Sequence, residues 1–125
     1  MYLDCLIMNI YRPANATDLP ILIYFHDGFF QNGGIKHIDG SILSESLNSV
    51  IITVQYRLNI FGFLSVKSEN FQNVANLGLY DQQKAIEFIS ENALAFGGDN
   101  NKITLAGIGS GGSSVGYHLM NRRRD

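Results

Sequence analysis

The sequence predicts an α/β fold, and three observations carry that prediction: apolar runs of strand length, no polar alternation within them, and helical spacing in the segments between. Residues 50–56 and 21–26 are the clearest runs. A run apolar on successive residues suits a strand covered on both faces, which is the mark of a mostly parallel sheet with crossover helices. Both runs are far shorter than the ~20 residues needed to cross a bilayer, so no membrane span is expected.

Taken in order, residues 5–11 read as a strand ended by Pro13 and a polar loop at 15–18, and residues 21–26 as a second, buried strand. A loop containing Gly28, Gly33 and Gly34 leads to a short helix over 41–47, then to the β-branched strand 50–56. Residues 81–92 carry Ala85, Ile86 and Ile89, with Ala93 following, at the spacing of one helix face, and Gly97-Gly98 ends the helix. The final strand spans 103–106, a tight turn 107–112 and a last helix 113–121.

Composition narrows the classes. Of 125 residues 46% are apolar, which fits one domain over 1–125 with its own core. Only 16% are charged, against about 25% in a typical soluble domain, as expected of a segment inside a larger body. A net charge of −2 gives no footprint for nucleic acid, and Arg122, Arg123 and Arg124 beside Asp125 read as a solvated end. Asp4 interrupts the first apolar stretch, so no targeting segment is expected. The single Cys5 reads as a buried free thiol or as half of a bridge whose partner lies elsewhere. Asn15-Ala16-Thr17 is a glycosylation sequon in a polar loop. No metal ligand set and no cofactor are expected.

Three readings compete for the turn Gly107-Ile108-Gly109-Ser110-Gly111-Gly112. It fits the G-x-G-x-x-G of a dinucleotide loop, although such a loop normally opens its domain and is followed by an acidic residue ~20 positions on. It borders a formal G-x-S-x-G elbow, Gly112-Ser113-Ser114-Val115-Gly116, but Ser114 falls a turn inside the next helix. Ser110 is nearer the strand, yet Ile108 two positions before it would crowd an elbow. Sterics favour the third reading, an elbow centred on Gly109 with Gly107 and Gly111 on either side, a turn that keeps its shape without a hydroxyl.

Several segments, in order, resemble the carboxylesterase type B, or cholinesterase-like, family. They are Asp4-Cys5-Leu6 with Asn9-Ile10-Tyr11-Arg12-Pro13, Gln55-Tyr56-Arg57-Leu58-Asn59-Ile60-Phe61-Gly62-Phe63-Leu64-Ser65, Asn76-Leu77-Gly78-Leu79-Tyr80-Asp81-Gln82, and Phe96-Gly97-Gly98-Asp99 followed by Ile103-Thr104-Leu105. The resemblance implies the α/β-hydrolase fold, of which this chain would be the N-terminal part only. It sets the family's G-E-S-A-G-G on residues 107–112, so the nucleophilic serine is replaced by Gly109. It sets the oxyanion loop H-G-G-G-F on His26-Asp27-Gly28-Phe29-Phe30, where two glycines have been replaced. His26 is then a loop-ordering residue, and His118, on the helix after the elbow, is no base; the acid and histidine of the triad would lie downstream. Cys5 would pair with an upstream cysteine.

The reading that follows is a non-hydrolytic domain fragment, similar at its elbow to neuroligin-type adhesion proteins, with a cell-surface protein as partner and an extracellular or cell-surface location. One alternative is a serine ester hydrolase acting on a small ester through Ser110; the other is dinucleotide binding.

Overall fold

The computed structural model describes residues 6–67 and 74–121. Strands β1 (Met8–Tyr11), β2 (Leu19–Phe25), β3 (Val50–Val54) and β4 (Gly98–Gly107) form one sheet in the order β1-β3-β2-β4. Helices α1 (Ser41–Leu47), α2 (Asn59–Phe63), α3 (Leu77–Glu91) and α4 (Ser110–Met120), with a 3-10 turn at Ala93–Phe96, fill the connections. Strand β2 runs parallel to β3 and β4, while β1 pairs antiparallel with β3. The sheet is mixed at one edge and parallel elsewhere.

Every residue of β3 is buried because both faces of the sheet are covered. Side chains alternate between faces along a strand. Ile21, Ile23 and Phe25 of β2 therefore join Val50, Ile52 and Val54 of β3 under Ile89 of α3 and Ala93, with Val115 of α4 packed alongside. On the other face a Cβ at Gly40 would press on Ile51 and the Tyr11 ring, so the approach to α1 lies tight against the sheet.

Several boundaries differ from the sequence reading, each for a tertiary reason. Strand β3 stops at Val54; the Gln55 N–H still donates to the Ile7 carbonyl, while the side chains of Gln55 and Tyr56 reach His26. Strand β4 begins five residues before the expected Ile103, since pairing of Gly98 with Leu19 across a register shift recruits a polar stretch with no apolar signal. Helix α4 starts at Ser110 rather than Ser113, so the turn is tighter than the glycines alone imply. Helix α3 starts a turn early, and α2 was not anticipated. Cys5 and the three terminal arginines lie outside the described residues.

The α2–α3 corner is built around Arg57. Its Nε and Nη2 donate to the two oxygens of Asp81 at 2.7 Å each, and its backbone N–H donates to Asp81 Oδ2 at 3.1 Å. Gly62 and Gly78 both back onto the Arg57 carbonyl, where a Cβ would collide with it. These contacts fix the first turn of α3 despite its glycine. Asp81→Ala should cost about 2–3 kcal/mol in urea unfolding of the intact protein, because it removes three hydrogen bonds to a buried carboxylate, two of them from the Arg57 guanidinium. Glu87→Ala, which removes only exposed contacts with Lys84 and Gln83, should leave the urea midpoint nearly unchanged.

A candidate active site at the elbow between β4 and α4

The chain leaves β4 at Gly107 and enters α4 at Ser110 through Gly109, whose φ of 56° and ψ of −121° are a combination that residues with a Cβ adopt only under strain. Its neighbours make the turn possible by close approach. A Cβ on Gly107 would strike the Gly111 backbone, and one on Gly111 would strike the carbonyl of Phe25 at the end of β2. The backbone is thus that of a strand-to-helix elbow centred on Gly109.

Neither nearby serine stands where an elbow presents its hydroxyl. Ser114 is fully buried; its Oγ donates to the Ser110 carbonyl and accepts from Gln82 Nε2, both at 3.0 Å. Ser110 is also buried, and its Oγ donates to Asp27 Oδ1 at 3.1 Å. His118 donates from Nε2 to Gln82 Oε1 at 2.9 Å, and burial lowers its pKa. It props α4 against α3 and makes no bond to the elbow serines.

The loop after β2 faces the elbow. His26 is buried, donates from Nδ1 to the Asp27 carbonyl at 2.7 Å, and stacks on Tyr56 with ring centroids 4.5 Å apart. Gln55 Nε2 lies 3.4 Å from its other nitrogen, and the Tyr56 hydroxyl donates to the His26 carbonyl at 2.8 Å. His26 therefore orders the loop. Gln55 and Tyr56, its supports, were legible in the sequence only as part of a motif, without a role. Beyond His26 the backbone is forced: Gly28 has φ 138°, Phe29 55° and Phe30 61°. Two successive non-glycine residues with positive φ store strain of the kind that collects at functional sites. The Phe29 ring is 81% exposed, whereas Phe30 packs on Phe63.

Asp27 joins the two halves of the site. Its Oδ1 accepts from the Ser110 N–H at 2.9 Å, and the Phe29 N–H approaches it at 3.5 Å. An oxyanion hole in this architecture uses the N–H of the residue after the nucleophile and an N–H from the loop after a neighbouring strand. Those donors face the Asp27 carboxylate. A Cβ built on Gly109 would collide with the Asp27 carboxylate carbon and both its oxygens. The Ser110 N–H, followed by that of Gly28, lowers the Asp27 pKa from the ordinary 3.8 to about 2. Burial raises that of Tyr56, with the Asp27 charge adding to it. The same Ser110 N–H is the one a dinucleotide loop would offer to a pyrophosphate.

Elsewhere, the Asn15 sequon sits exposed in the turn between β1 and β2. An open cleft of about 510 Å³ lies against α3 and α4, lined by residues including Phe30, Phe63, Tyr117 and His118. Among the described residues no group of histidine, cysteine and acidic side chains could hold a metal ion, and no helix is long and apolar enough to cross a membrane.

Comparison with known proteins places this geometry. The sequence model described as the carboxylesterase family matches residues 3–125. Liver carboxylesterase 1 of Oryctolagus cuniculus is 40% identical over 120 residues, which are 94% of this chain and 21% of that protein. A neuroligin-like protein of Caenorhabditis elegans is 39% identical over 121 residues, 94% of this chain and 16% of that protein. Among solved structures, a thermophilic PNB esterase superposes with a TM-score of 0.84 at 36% identity, covering 90% of this chain and 24% of its own. The fold is thus part of an α/β-hydrolase, and the chain spans about a fifth of the relatives' length.

The depressed Asp27 pKa has a defined consequence for acid stability. A carboxylate whose folded pKa lies below its unfolded value stabilises the fold above the unfolded value and loses that contribution as pH falls through the folded one. The Asp27 share should therefore fade between about pH 4 and pH 2. Asp27→Asn should flatten that part of the curve of unfolding midpoint against pH in the intact protein.

Proposed function

The chain belongs to the carboxylesterase family, and we propose that within it this is a non-hydrolytic member whose fold serves partner binding. One observation carries the reading: the residue at the apex of the elbow, Gly109, has no side-chain oxygen. Ester cleavage by this architecture begins with attack of an apical hydroxyl on the carbonyl carbon, assisted by hole donors aimed at the developing oxyanion. Here the attacking atom is missing, and the Ser110 donor is bonded to a carboxylate. Loss of one hole donor lowers rate by about 100- to 1,000-fold, and loss of the nucleophile removes the covalent route.

Partner binding is supported by the similarity to a neuroligin-like protein. On this reading the partner is a cell-surface protein, and the chain works outside the cell or at its surface, where the exposed Asn15 sequon would be used.

A second reading, ester hydrolysis through Ser110, is favoured by the similarity to named hydrolases and esterases, among them the rat acylcarnitine hydrolase. Burial of Ser110 opposes it. One assay on the intact protein separates the two. Incubated with a nitrophenyl ester and a fluorophosphonate probe, it should show no turnover above background and no adduct on residues 107–116. An adduct on Ser110, or turnover abolished by Ser110→Ala, would establish the second reading instead.

A further inference from the structure

Two departures from the family pattern meet in space, although residues 27 and 109 are far apart in sequence. The Asp27 carboxylate fills the volume that any side chain on residue 109 would enter. It also takes up the N–H of Ser110. We propose that Asp27 is a plug over the elbow: it occupies both the seat of the nucleophile and the cradle for an ester carbonyl oxygen, so residue 109 can carry a side chain only when residue 27 is small.

The carboxylate is exposed on its outer side but held on its inner side by the N–H and hydroxyl of Ser110. The Asp27 side chain has only two rotatable bonds, and the backbone on either side is fixed. The Asp27 carbonyl accepts from His26 Nδ1 at 2.7 Å, the His26 carbonyl accepts from Tyr56 at 2.8 Å, and Gly28 closes the following turn through bonds from Gln31 and Asn32. A Cβ at Gly33 would in turn press on the Asp27 carbonyl, so the loop has no room behind it. Moving the carboxylate would also release the Ser110 N–H and hydroxyl together. The absent hydroxyl and the altered loop are therefore one coupled change. Reinstating serine at 109 alone would set it against a held carboxylate, with a hole donor already occupied. This coupling concerns stability, so it stands or falls independently of whether the protein turns over esters at another residue.

A double-mutant cycle on the intact protein tests it, read as the thermal unfolding midpoint of wild type, Gly109→Ala, Asp27→Gly and the double variant. An alanine at φ 56° is strained in either background, and the cycle cancels that common cost. Gly109→Ala should lower the midpoint by roughly 3 °C or more beyond the drop it causes in the Asp27→Gly background. Equal drops in the two backgrounds would overturn the proposal. Should Gly109→Ala fail to fold, recovery of folded protein in the double variant supports the plug, and no recovery overturns it. Asp27→Asn keeps the volume and removes the charge; in that background the large drop should persist, and its disappearance would rule out a steric plug.

Discussion

The turn at Gly109 is the constraint around which the described structure is arranged. A parallel strand must end and a helix must begin within two residues, with the helix start lying on the end of the neighbouring strand. That is possible only where backbones touch: Gly107 against Gly111, and Gly111 against the Phe25 carbonyl. Once α4 is fixed there, Ser114 and Gln82 bond beneath it, His118 meets Gln82 from the next turn, and α3 is drawn onto the same face of the sheet. The loop after β2 then closes over the top, ordered by His26 and Tyr56.

Such an elbow ordinarily leaves the N-terminus of its helix open, a place where amide donors and the helix dipole favour negative charge. In an esterase that preference is directed at an oxyanion formed during the reaction. Here the Asp27 carboxylate, reaching in from another loop, accepts the Ser110 N–H and hydroxyl. The chain thereby has the architecture of the family, with a carboxylate seated at the helix start. The positive φ values of Phe29 and Phe30 lie in this same loop.

The layer structure was legible because it rests on local apolar pattern. The run at β3 announced a strand covered on both faces, and the short α1 falls on the expected residues 41–47. What escaped were elements held by distant contacts. The polar start of β4 depends on Leu19, the first turn of α3 on Arg57 and Phe63, and α2 on the same corner. At the site, the glycine frame and the apex at Gly109 were readable, because steric need for small residues appears directly in the sequence. The destination of the Asp27 side chain was not: a bond between residues 27 and 110 has no local signature, and the sequence indicated only that Asp27 stands in place of a loop glycine. The antiparallel pairing of β1 was likewise invisible, since strand direction is not encoded in the apolar pattern of a short edge strand.

A crystal structure of the intact protein at neutral pH offers the most direct test of the filled elbow. Density for the Asp27 carboxylate within hydrogen-bonding distance of the Ser110 amide, lying over the Cα of Gly109, is the predicted result. An Asp27 side chain turned to solvent, with ordered water on the Ser110 amide and free space above Gly109, would contradict it.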